Sequence, residues 1–290
     1  MITDYRKELS MDETSELVYH YCSFDTFIKI IEEKKLRFSD IYKSNDYLEL
    51  DFLWKAIFEK WKTIDNQFNN SLHYFKNEQD EYMDCLVCCF SKKSDDLHMW
   101  STYASNGGVA IGFDMKLLQN WGTKINLLNN AFVYNENSEP KNNENKIARC
   151  GDVVYLNDEK LKETVDKESK NWKLITDALN YAFDKAPFLK SEFWSIENEW
   201  RIVLKLFIEN ELNDIENYKK NIDGEICKIK ANSNPSFSYK FYCEIPFNSD
   251  LIKKITLSPN CKSGENGVKK LLLVNGLKEV EISKSIGSLR

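Results

Sequence analysis

The order of apolar and polar positions divides the chain into short strands and amphipathic helices. Residues 17–21, LVYHY, alternate and carry aromatics, which predicts a first strand. In the next segment Phe24, Phe27, Ile28 and Ile31 recur at helical spacing, with Ser23 placed to cap the helix. LRFSD predicts a second strand. A second helix then opens at Ser44 or Asn45 and buries Leu50, Leu53, Trp54, Ile57 and Trp61. CLVCCFS reads as a core strand, KKSDDLHMWSTYAS as a helix ended by Asn106-Gly107-Gly108, and GVAIGFD as the strand that follows. Residues 115–150 hold further strand-like pieces, broken by NENSEPKNNENK, a solvated loop. A charged amphipathic helix is expected over 158–186, and FWSIENEWRIVLKLF alternates as a later strand. The last third predicts strands in FSYKFYCEIPF and IKKITLSP, a helix near 264–275 and a final strand in KEVEIS.

With no internal repeat and no Pro/Gly linker, this pattern predicts a single α+β domain over residues 1–290, with a helical insertion at about 158–186. Composition adds little to the fold: 42% hydrophobic and 30% charged residues are ordinary for a globular protein. The formal net charge of −6, from 40 basic and 46 acidic residues, argues against nonspecific binding to nucleic acid. The sequence has neither an apolar run of membrane-spanning length nor a secretory leader pattern, so a cytoplasmic protein without membrane contact is expected. The eight cysteines then read as reduced thiols. Cys85-x-x-Cys88-Cys89 has the spacing of half a metal site, but no second ligand pair matches it and the segment reads as buried strand. No metal is expected there.

Phosphate-cradling, nucleophile-elbow and zinc-protease motifs are missing from the sequence. Three histidines, at 20, 73 and 98, restrict acid–base chemistry, and His20 lies within the first predicted strand. Asn45, Asp46 and Glu49 stand at a predicted helix start, where capping accounts for them and a metal-binding carboxylate pair is the alternative. Glu197 and Glu199 alternate on one predicted strand face, about 7 Å apart, with Arg201 next on that face. One reading is a solvated face carrying an ion pair. The other is a carboxylate that binds sugar hydroxyls or stabilises a cationic transition state. Trp194, Ile196, Trp200 and Ile202 make the opposite face apolar.

The blocks YHYCSFDTFIKIIEEKKLRFSDIYKSNDYLE, CFS, MWSTYASNGGVAIGFD, FWSIENEWRIV and ITLSPN…ISKS resemble the bacterial family called domain of unknown function 2971. More distantly, the order of motifs is similar to that of ADP-ribosyltransferases. That resemblance implies a split mixed or antiparallel β-core flanked by helices, with His20 on the first strand, Ser91 ending a middle strand and Glu199 on a later one, preceded by Glu197. It further implies NAD as substrate and an unknown macromolecular acceptor, protein or nucleic acid, in the setting of a toxin or anti-phage defence effector. His20 would hold the dinucleotide, Ser91 would orient the nicotinamide side, and Trp100 or Tyr103 would stack on the ring. Glu199 would support the oxocarbenium-like transition state. Tyr21, Ser101, Arg201, Asn45 and Asp46 complete the expected binding set. Two readings compete with it: a metal-dependent nuclease or phosphoesterase using Asp46, Glu49, Glu197 and Glu199, and a non-catalytic module whose aromatic pocket binds a nucleotide or a peptide.

Overall fold

A computed structural model describes residues 16–43, 49–62, 70–74, 76, 83–128, 131–134, 148–207, 224–233 and 239–287. In chain order the described elements begin with β1 (Leu17–Cys22), α1 (Phe24–Glu33), β2 (Lys35–Asp40), α2 (Glu49–Lys62), β3 (Met83–Ser91), α3 (Leu97–Tyr103), β4 (Val109–Asp114) and α4 (Met115–Gly122). There follow β5 (Ile125–Leu128), β6 (Ala131–Tyr134), β7 (Ala148–Asp152), β8 (Val154–Leu156), α5 (Asp158–Ser169), α6 (Ile175–Lys185), β9 (Leu189–Ser191) and β10 (Glu199–Phe207). The chain closes with β11 (Glu225–Cys227), β12 (Lys230–Ser233), β13 (Tyr239–Pro246), β14 (Ile252–Leu257), α7 (Glu265–Val274) and β15 (Glu281–Lys284).

Helices and a mixed, mostly antiparallel sheet make this an α+β fold. Among the described residues the main sheet has ten strands, ordered β12-β13-β2-β3-β1-β4-β14-β15, with β10 on β3 and β7 beyond it. The strand β3 organises it. On one edge β10 pairs with β3 along its whole length, from Phe207↔Met83 to Glu199↔Ser91. The other edge is shared. β2 pairs at Ser39↔Val87 and Asp40↔Leu86, and β1 pairs only at Tyr19↔Ser91 before turning to run beside β4. Over Cys88–Phe90 the two partners diverge, and the sheet forks.

Period-two alternation gives β3 and β10 two unlike faces. Leu86, Cys88, Phe90, Trp200, Ile202 and Leu204 enter a core shared with Phe27 and Ile31 of α1, Trp121 of α4 and Val268 of α7. The other face carries Cys85, Val87 and Val203 into a second core against α2, α5 and α6. At the fork end of that same face stand Cys89, Ser91, Glu199 and Arg201. A third cluster packs Met99, Trp100 and Ala104 of α3 on Tyr19, Tyr21 and Ala110.

Several expectations hold. Ser23 caps α1 by accepting from the Thr26 amide, and Cys85–Cys88 are buried on strand β3. Others need correction. Residues 115–122 form a helix, with Asp114 accepting from the Leu117 amide at its N-terminus, where only strand-like pieces were expected. The single helix over 158–186 is two, α5 and α6. The first five residues of the expected 193–207 strand belong to a 3₁₀ helix, Glu192–Glu197, which Asn198 ends in left-handed backbone, φ 45°. The loop 135–146 lies outside the described residues.

The turn after α3 has a steric cause. Gly107 adopts φ 92°, and a Cβ on Gly108 would lie 2.0 Å from the Cys22 carbonyl oxygen. This glycine pair is packing, letting α3 close onto β1.

Candidate functional site

The fork encloses a cavity of about 230 Å³. Its walls come from β1 (Tyr19, His20, Tyr21), β2 (Arg37, Ser39, Asp40), β3 (Val87–Ser91) and α3 (Met99, Tyr103). Glu49, Lys190, Trp194, Glu197, Glu199 and Lys240 complete it.

Beneath the cavity lies a buried ionic cluster. Arg201, with no solvent exposure, grips Glu199 with both ends of its guanidinium: Nε donates to Oε1 at 2.8 Å and Nη2 to Oε2 at 2.6 Å. Its Nη1 donates to Glu49 and to the Pro187 carbonyl. Lys190 Nζ donates to Glu197 Oε2 and Glu199 Oε2, each at 2.9 Å, and stands 3.8 Å from Glu49 Oε2. The Tyr103 hydroxyl donates to Glu197 Oε1 at 2.7 Å. Three carboxylates thus meet two cations, a net charge of −1 in a desolvated setting where single charges are costly.

The environments set these groups apart. Burial works against the ionised form of Glu199, yet Arg201 and Lys190 hold its carboxyl well below the usual range. For Glu49, burial outweighs Arg201 and Lys190 and pushes the carboxyl up. Burial alone would lower Lys190, but Glu199, Glu49 and Glu197 outweigh it and raise it. Burial, then Glu197, raises the Tyr103 hydroxyl.

The residues expected from sequence divide into three groups. His20, Tyr21, Ser91, Tyr103, Glu197 and Glu199 all line the cavity. Ser91 and Glu199 share one rung with Tyr19, and His20 is the next residue of β1, its ring edge-on to Phe90. His20 Nδ1 lies 3.0 Å from the Cys89 carbonyl, which can only accept, so Nδ1 carries the proton and Nε2 remains an acceptor. Burial lowers the His20 pKa, outweighing this hydrogen bond. The Ser91 hydroxyl donates to the Glu197 carbonyl at 2.7 Å and accepts from the Lys93 amide, tying β3 to the turn before β10. Tyr21 donates to the Lys93 carbonyl.

Arg201 pairs with Glu199 as expected, below the cavity and not in its wall. Trp100 and Ser101 are elsewhere. Trp100 is fully buried, edge-on to Tyr21 and donating Nε1 to Asp95, while Ser101 is exposed and bonds the His98 carbonyl. Trp100 therefore supports the wall and is not available to stack on a ligand. Asn45 and Asp46 lie outside the described residues. Glu197 is on the 3₁₀ helix, not on the strand, and Lys190 joins it to Glu199. Among the described residues no metal-binding group of three or more such side chains occurs. The centre that a carboxylate-bound metal would occupy is filled by the Lys190 ammonium and the Arg201 guanidinium.

Sequence reasoning missed Lys190, Tyr19 and Cys89. Lys190 left no local signal, because it lies in the three-residue strand Leu189–Ser191, too short for alternation to pick out. Cys89 followed the reading of its segment as plain core, yet its side chain opens onto the cavity beside Glu199.

A family model described as "Protein of unknown function (DUF2971)" matches residues 99–202, which run from α3 to the start of β10 and include Tyr103, Lys190, Glu197, Glu199 and Arg201. The resemblance to that family therefore stands over this stretch. No curated protein and no solved structure matches the chain. The ADP-ribosyltransferase resemblance has no counterpart among these findings.

Proposed function

We propose that the cavity binds the nicotinamide end of NAD and that the protein transfers ADP-ribose to a macromolecular acceptor. One observation carries this reading: His20, Ser91 and Glu199, from three distant parts of the sequence, meet on adjacent strands around one cavity. The cavity is smaller than the roughly 300–1,000 Å³ of pockets that enclose drug-sized ligands, so it suits one end of a dinucleotide. Tyr19, Tyr21, Tyr103 and Trp194 offer aromatic faces that suit a cationic ring.

In this reading the bond between C1′ and the nicotinamide nitrogen breaks, and nicotinamide leaves with the bonding pair. The acceptor nucleophile bonds to C1′ and gives up its proton to solvent. Positive charge grows on the ribose meanwhile, and an ionised Glu199, held rigid by Arg201, stabilises it without reorganising. His20 Nε2, an acceptor at neutral pH, suits a ribose hydroxyl. A cytoplasmic setting belongs to the same reading, and among the described residues no helix is long and apolar enough to cross a membrane. A defence or toxin role follows the same reading.

The test is calorimetric titration of the purified protein with NAD, followed by nicotinamide release. Binding with slow release, reduced at least 100-fold by Glu199→Gln, is the expected result. Full activity in Glu199→Gln would sink the transferase reading. A second reading is favoured by the saturation of Glu199, whose two oxygens accept three hydrogen bonds. A non-catalytic nucleotide- or partner-binding module would bind without release, and Glu199→Gln would leave that binding intact.

A further inference from the structure

Lys190 lies outside every motif above, yet it makes the one direct side-chain link between Glu197 and Glu199 among the described residues. It sits on β9, 7% exposed, and β9 pairs in parallel with β8 at Tyr155↔Lys190. Tyr155 accepts the Glu199 amide at 2.8 Å, so the β8–β9 ladder fixes the Glu199 backbone through one rung and its carboxylate through the same rung. Glu197 depends on the clamp more heavily. It closes a 3₁₀ turn one residue before left-handed Asn198, and its carboxylate has Tyr103 and Lys190 as partners. Without the ammonium, two like charges would face each other across that turn and repel.

We infer that Lys190 is the positioning residue of this site, whose ammonium locks Glu197 and Glu199 into one orientation toward the cavity. The inference rests on the reading of the cavity as an NAD site for its catalytic consequence and on geometry alone for the clamp. Arg201 cannot replace it. The guanidinium is consumed by Glu199, Glu49 and the Pro187 carbonyl and has no hydrogen bond to Glu197.

The experiment compares the full chain with Lys190→Met and Lys190→Arg. Side-chain carboxyls are labelled with ¹³C in glutamate, and the Glu199 signal is assigned through Glu199→Gln. The groups facing Glu199 are Arg201, Lys190, Glu49, Glu197, Cys89 and Tyr155, and the substitutions alter Lys190 alone. In Lys190→Met the Glu199 titration midpoint is expected to rise by about one to three pH units, with Lys190→Arg restoring it. An unchanged midpoint in folded Lys190→Met overturns the clamp, because a merely structural lysine would alter stability and leave the titration in place. Should Lys190→Met not fold, the wild type decides: an ammonium bonded to two carboxylates gives a slowly exchanging ¹H–¹⁵N signal at neutral pH, and its absence overturns the clamp.

Nicotinamide release then tests the catalytic half. Lys190→Met is expected to lower kcat on the order of 100-fold with KM within about threefold, as for a displaced catalytic group. A change in KM alone would overturn the positioning role. If the wild type releases no nicotinamide, the NAD reading fails, while the carboxyl titration still decides the clamp.

Discussion

Arg201 shows how a charge can be buried completely and still stabilise the fold that buries it. Its guanidinium donates four hydrogen bonds, to two carboxylates and a carbonyl, and removing it would leave Lys190 as the one cation of the cluster facing Glu49, Glu197 and Glu199. Arg201→Met should therefore cost about 3–5 kcal/mol, read as a lower urea midpoint with unchanged slope. The sequence showed this pair, because Glu199 and Arg201 share a face at spacing two. It could not show Lys190 or Glu49 as partners, since these lie 9 and 152 residues from Glu199 and Arg201 respectively, and proximity across the chain leaves no local pattern. Trp100 misled for a related reason. An aromatic beside hydroxyls at helical spacing fits a pocket wall and a core equally well, and only the Asp95 acceptor and the edge of Tyr21 decide for the core.

At the scale of elements, the strands and helices with strong periodicity were legible, and the errors fell where turn chemistry overrode alternation. Glu192–Glu197 alternates like the strand that follows it, but Ser191 accepts from the Phe193 amide and starts a 3₁₀ turn that Asn198 ends. The helix Met115–Gly122 had its signal in Asp114, a good capping residue hidden at the end of an apolar strand. The turn from α3 into β4 is tightest of all. Gly108→Ala would force a methyl group into the Cys22 carbonyl, so β1 must shift, and a loss of about 1–3 kcal/mol in unfolding free energy is expected. Because β1 carries His20 and Tyr21, that variant should also weaken any ligand bound in the cavity, as calorimetry would show.

Across the whole molecule, pH reads out which buried groups hold the fold. His20 has its pKa lowered by burial from an ordinary 6.5, so the unfolded chain binds the proton more readily than the folded one. Stability from this group is complete above 6.5 and falls as the pH drops through that value, by at most about 1.4 kcal/mol per pH unit. Glu199, also lowered, adds its loss only below its ordinary 4.5. Urea midpoints measured from pH 8 to 3 should thus decline in two stages, and His20→Gln should flatten the first while sparing the second. The α+β class was readable from the mixture of short strands and helices, whereas the order of the sheet was not, because β3 takes partners from residues 19, 39–40 and 199–207. That order has a consequence for descent as well as for binding. The opening exists because β1 and β2 leave β3 at different rungs, a matter of main-chain route, so lineages sharing this route can exchange the lining side chains one at a time. Each inherits a ready-made recess whose chemistry is free to drift, and a shared architecture need not imply a shared ligand.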